Sequence, residues 1–189
     1  MQRRHPDPKR YVAFLRAVNV GGHNVKMAAL REQFVALGFT NVETFIASGN
    51  VRFSSSVEDA EALEVQIETH LFRHLGYAVD TFIRTNADVM AAAAYQVFGG
   101  TEPVAGESAL TVGFLKSTLS SEAQHRVLAL AGTTNEFAFR DRDFYWWTAS
   151  RMSDSTITGA RLEKALAMST TMRNITTVRK LALLCSETA

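Results

Sequence analysis

Arg16, Lys26 and Arg173 are the cations of this sequence whose neighbours could help them hold an anion. Arg16 and Lys26 bracket "RAVNVGGHNVK", which also carries Asn19, Gly21, Gly22 and Asn24. Glycines let backbone N–H groups approach a ligand, and a helix N-terminus behind them favours negative charge. The segment Ser48-Gly49-Asn50 has the same character. Far along the chain, "STTMRNITTVRK" sets Arg173, Asn174 and Thr177 among threonines. The chemistry in reach is charge stabilisation of a phosphate or carboxylate. Ser48 has no evident His–Asp partner set, so a hydrolase triad is not indicated, and no general base stands out. Lys26 lacks the spacing of a phosphate-binding Walker loop, and the dinucleotide fingerprint is also missing. Gly21-Gly22 and Ser48-Gly49-Asn50 equally fit plain turns.

Metal and thiol chemistry have less to build on. His70 and His74 stand four apart on a helical pattern, but no third ligand has matching spacing, so neither metal nor cofactor is expected. Cys185 is the single cysteine, which excludes an internal disulfide and a thiolate zinc cage; it reads as a small buried hydrophobe. The 189 residues are 47% hydrophobic and 21% charged, with a formal net charge of +1. That composition describes a globular protein without the field that nucleic acid or an anionic membrane would require. An anion site must therefore be local. No stretch approaches the roughly 20 apolar residues of a membrane span. The chain reads as cytoplasmic, with residues 1–9 as a disordered tail.

The elements that would position these residues follow from pattern. "RYVAFLRAV", residues 10–18, is apolar on both alternating faces except at Arg16, as in a strand covered on both sides. One face would carry Val12, Phe14 and Val18, the other Ala13, Leu15 and Ala17. Met27, Leu30, Phe34 and Leu37 repeat at helical spacing before Gly38. Two strands joined through Ser48-Gly49-Asn50 follow, then a helix marked by Leu63, Ile67, Leu71 and Leu75 and stopped by Gly76, then the strand "YAVDTFIR". The order β-α-β-β-α-β over residues 10–85 predicts an α+β, ferredoxin-like unit.

A related unit, residues 86–189, follows. Thr85 and Asp88 form a capping-box pattern ahead of an alanine-rich helix. A glycine-containing loop, a strand, a Ser-x-x-Gln-capped helix, a hairpin through "FYWW" and two terminal helices complete a β-α-β-β-α-α order. This unit is expected to pack on the first, and it or a second chain to cover the doubly apolar strand. The aromatic run is expected to be core.

In such a topology the first loop, the Ser48–Asn50 tip and the segment after Gly76 meet at one end of the sheet. Arg16, Asn19, Gly21, Gly22, Lys26, Ser48, Gly49 and Asn50 would converge there. Arg16, near the end of an apolar strand, needs a carboxylate, a carbonyl or an anion as acceptor. Arg173, Asn174 and Thr177 are placed at the head of the last helix, where a cation opposes the macrodipole unless it has an acceptor. A polar site shared between Arg16 and Arg173 is one explanation of both.

"YVAFLRAVNVGGHNVKMAALREQFVALGFTNVETFIASGNVRF" resembles the start of a bacterial family, domain of unknown function 1697, and "TTMRNITTVRKL" resembles its closing motif. The resemblance runs from about Tyr11 to Leu184. Members usually read Gly-Ile-Asn where Ala17-Val18-Asn19 stand, Gln at the place of Ala47 and Trp at that of Ile175. The resemblance implies this fold and a pairing of the two motifs, and no established activity. The expected function is binding of a small anionic ligand, a nucleotide or phosphorylated metabolite, with Arg16, Lys26 and Arg173 as charge stabilisers. The alternatives are a nucleic-acid-binding module on an open sheet and a protein-interaction domain whose loops are purely structural.

Overall fold

In the first strand every residue from Tyr11 to Leu15 is at most 1% exposed, so both of its faces are covered. This strand, β1 (Lys9–Leu15), opens a computed structural model that describes residues 8–19, 25–46 and 49–187. It is followed by α1 (Met27–Ala36), β2 (Thr40–Phe45), β3 (Asn50–Ser55), α2 (Ala60–Leu75), β4 (Thr81–Thr85) and α3 (Asn86–Ala94). The β-α-β-β-α-β order expected from the sequence is thus observed. The sheet runs β2-β3-β1-β4, with every neighbouring pair antiparallel.

Local chemistry explains most of these boundaries. Asp59 accepts from the amides of Glu61 and Ala62 to start α2, and Gly76 ends it with φ of 79°. Thr85 and Asp88 cap α3 reciprocally, at 2.9 and 3.1 Å. Tyr11, Ala13 and Leu15 face Leu30 and Phe34 of α1 and Leu63, Ile67 and Leu71 of α2 in one core. Val18 belongs to this core too, and not to the face of Val12 and Phe14 as strand alternation predicts. The strand has ended by then: Ala17 takes a φ of 58°, which breaks the period-two pattern.

The opposite face, away from α1 and α2, carries Val12, Phe14 and Phe82, all at 0% exposure. Here Arg52 and Arg84 lie in register on either side of Val12. Both guanidinium groups are buried: Arg52 pairs with Glu43 at 3.0 Å, and Arg84 donates to the carbonyl of Ile83 at 2.9 Å. Cys185 is buried beside Arg52; burial pushes its thiol pKa up, while Arg52 and Arg10 pull it down.

The second unit contains β5 (Ala109–Phe114), α4 (Ser121–Leu128), β6 (Asn135–Arg140), β7 (Asp143–Thr148), α5 (Gly159–Leu166), β8 (Thr171–Asn174) and α6 (Ile175–Ser186). Its sheet order, β6-β7-β5-β8, is that of the first unit. The β-α-β-β-α-α order read from the sequence therefore needs a correction. A fourth strand, β8, stands where the head of the last helix was expected. Four residues joined directly to a helix leave no periodic trace; pairing with β5 makes them a strand. The capping site of α4 also shifts by one residue, since Ser120 and not Ser121 accepts from Ala123.

The two units repeat each other contact by contact. Glu68 of α2 accepts from the Thr81 amide at 2.7 Å, and Glu163 of α5 accepts from the Thr170 amide at 3.2 Å. Arg84 and Arg173 occupy equivalent places, in register with Val12 and Val112. The core of the second unit joins Phe144 and Trp146 to α4 and α5, as expected for the aromatic run. By compactness the chain divides inside α3, between Val89 and Met90, and the residues from Cys185 onward belong with the first unit.

Candidate functional site

The polar edge of the first unit is built by three chain segments that end together. Asn50 at the start of β3 pairs with Phe14, and Thr81 at the start of β4 pairs with Leu15. The Leu15 amide donates to the Gly49 carbonyl at 2.8 Å, and the Arg16 amide to the Asp80 carbonyl at 2.9 Å. Tyr77 Oη donates to the Val18 carbonyl at 2.9 Å. The end of β1, the hairpin tip and the segment after Gly76 therefore meet, as the topology required.

The structure assigns each described residue of this edge a task. Arg16 pairs with Asp80 at 3.1 Å, with both side chains more than a third exposed. Asn19 accepts from the Val25 amide at 2.7 Å and so pins the ends of the first loop together. Asn50 is fully buried and donates to the Phe45 carbonyl at 3.1 Å, which closes the hairpin. Gly49 has φ of 73°, and a Cβ there would lie 2.9 Å from Val18 Cγ1, so the position needs glycine on both counts. Lys26 is exposed at the N-cap of α1 and gives that helix no side-chain cap. Gly21, Gly22, Asn24 and Ser48 lie outside the described residues.

Sequence reading missed Asp80 and Tyr77. Asp80 stands immediately before β4, and only strand pairing across 64 positions brings it to Arg16. Beside it a groove of about 300 Å³ is lined by Glu68, Thr69, Phe72, Ala78, Val79 and Asp80. Its carboxylates make the groove itself a poor seat for an anion; the positive side of the edge is that of Arg16 and Lys26.

The second motif lies in the second unit, and its residues need correction. Arg173 is not in a helical turn but in β8, buried on the face of its sheet away from α4 and α5. It donates to Thr171 Oγ1 at 2.8 Å and to the Met172 carbonyl at 2.9 Å. Desolvation pulls its pKa well below the usual guanidinium range, to about 10. Asn174 accepts from the Thr176 amide at 2.8 Å and caps α6. Thr177 is half-buried in the first turn of that helix. The macrodipole argument for a ligand at Arg173 therefore falls, because the residue precedes the helix.

The His70 and His74 rings lie 4.0 Å apart, tilted by 33°, but His70 bonds Gln33 at 3.0 Å and His74 bonds the His70 carbonyl at 2.8 Å. Among the described residues no cluster of three or more His, Cys, Asp or Glu could hold a metal. Nor, among them, is any helix long and apolar enough to cross a membrane.

The fold is shared with the conserved bacterial protein SP0830 from Streptococcus pneumoniae. The TM-score is 0.76 at 24% identity, covering 95% of this chain and 99% of that one. No curated protein matches the chain. Residues 9–145 match the family described as "Protein of unknown function (DUF1697)". The chain belongs to the DUF1697 family.

Proposed function

We propose that the first unit is a ferredoxin-like domain that binds a small anionic ligand, a nucleotide or phosphorylated metabolite, in the cytoplasm. The observation that carries this reading is the charge at the start of α1. Lys26 occupies the N-cap, no side chain of that residue satisfies the first amides, and no acidic residue stands in the first turn. The first amides of α1, which no side chain among the described residues caps, and the positive end of the helix dipole then lie near Arg16 at the end of β1. Arg16 supplies a second positive charge whose current acceptor, Asp80, is exposed enough to yield to a stronger one. The roles are binding and charge stabilisation; no described group is placed as a nucleophile.

The nucleic-acid alternative would use the face of the sheet away from α1 and α2. Val12, Phe14, Phe82 and Arg84 on that face are at most 2% exposed, which supports the small-ligand reading instead.

The test is a thermal-shift and calorimetric titration with nucleotides, sugar phosphates and oligonucleotides. One of the small phosphorylated compounds should raise the melting temperature saturably. Arg16→Ala and Lys26→Ala should each remove that shift. Exposed pairs contribute about 0.2–1 kcal/mol, so Arg16→Ala should leave the unliganded melting curve almost unchanged. A ligand response undiminished in both variants refutes the site.

A further inference from the structure

A second cavity lies wholly within the second unit, where α3 ends. It measures about 230 Å³ and is lined by Ala93, Ala94, Gln96, Gly100, Glu102 and Arg179, among others. Its walls are more polar than apolar. At about 30 Å³ per water, the space admits roughly eight water-sized groups.

Two features give this cavity a dipolar character. At its mouth Arg179 grips Glu102 through both guanidinium nitrogens, at 2.6 and 2.7 Å, in the fork geometry that also suits a free carboxylate. Both side chains remain partly exposed, so the pair can open. Through Ala93 and Ala94, α3 presents its C-terminal, negative end to the cavity. Just before those two residues, outside the cavity lining, Ala91 and Ala92 accept from Arg140 and Tyr145, both at 3.4 Å. Among the described residues no donor reaches the carbonyls of Ala93 and Ala94.

The rim is also strained. Phe98, Gly99 and Gly100 follow one another at φ of 54°, 69° and 76°. A left-handed conformation is unfavourable for a residue with a side chain such as Phe98, and such strain collects at ligand sites. Thr101 Oγ1 holds the turn by donating to the Phe98 carbonyl at 2.9 Å.

We propose that this cavity binds a small zwitterion of the amino-acid type. Its carboxylate takes the place of Glu102 on Arg179, and its ammonium group is received by the released Glu102 and the end carbonyls of α3. Each ligand charge then meets its opposite, and one ion pair is exchanged for two.

The test is an amide NMR titration of the whole chain with L-threonine. 3-Hydroxybutanoate, which lacks the amine, and 1-amino-2-propanol, which lacks the carboxylate, are titrated in parallel. L-Threonine should shift Gly99, Gly100 and Thr101 saturably. Each one-charge analogue should bind at least about tenfold more weakly, because each forfeits one charge-assisted contact. Arg179→Met should abolish the shifts while the rest of the spectrum is kept, and Glu102→Gln, which frees Arg179 but removes the partner of the ammonium group, should shrink the advantage of L-threonine over 3-hydroxybutanoate. If Arg179→Met misfolds, Glu102→Gln and the analogues decide. Analogues as effective as L-threonine, or no saturable response at these amides, overturn the proposal. Shifts confined to the edge around Arg16 overturn it as well, without bearing on anion binding there.

Discussion

Replacing Gly49 by alanine should destabilise the first unit by more than its backbone angle alone requires. The residue has φ of 73°, and an added Cβ would meet Val18 Cγ1 at 2.9 Å and Leu15 Cβ at 3.2 Å. The left-handed conformation costs a non-glycine residue about 1–2 kcal/mol. Forcing a methyl group against a packed core adds about 1–3 kcal/mol, since the branched Val18 side chain and the β1 backbone have little room to retreat. Gly38 and Gly76 supply internal controls, with φ of 83° and 79° and no atom within 4 Å of where a Cβ would stand. Gly38→Ala and Gly76→Ala should therefore cost only the conformational part. Native-state hydrogen exchange of the Leu15 amide, which is bonded to the Gly49 carbonyl, reads the loss in this unit directly. Exchange at Leu15 should accelerate by roughly a further tenfold or more in Gly49→Ala over the controls, about 1.4 kcal/mol per decade. Equal acceleration in all three variants would show that the tip does not press on the end of β1.

The same logic applies to Gly113, where a Cβ would run into the Phe144 ring across the β5–β7 pair. Gly113→Ala should cost about 1–3 kcal/mol in urea unfolding followed by tryptophan fluorescence, and adding Phe144→Val should recover part of it. The first unit has the alternative solution in its own register, Ala13 opposite Val51. His70 gives a pH signature: desolvation first, then His74 and Arg73, lower its pKa from 6.5. Between the folded value and 6.5 the unfolded chain binds the extra proton, so stability falls as pH drops through that window and is recovered above it. His70→Gln should flatten this part of the profile of urea midpoint against pH, and an unchanged slope would count against the reading.

Where a structural signal is local, the sequence by itself determined it. The α2 stripe of Leu63, Ile67 and Leu71, its stop at Gly76, and the Thr85–Asp88 box depend on side chains within a few positions of one another. They were legible because helical spacing, a left-handed stop and a cap each have a near-neighbour cause. The doubly buried character of β1 was legible for the same reason: no alternation of polar residues offers a face to water. The convergence of the first loop, the hairpin tip and the segment after Gly76 also followed from element order alone. What only the tertiary structure decided was partnership. Arg16 needed an acceptor, but nothing nearby in sequence names Asp80. Asn50 stands at the expected edge, but nothing nearby in sequence shows that its side chain donates to the Phe45 carbonyl across the hairpin. The segment Thr171–Asn174 is a strand because β5 supplies its hydrogen-bonding edge, and that pairing carries Arg173 from an expected helix turn to a buried sheet face. Periodicity reports which faces avoid water; it holds no information about which distant group will satisfy a charge once water has been removed.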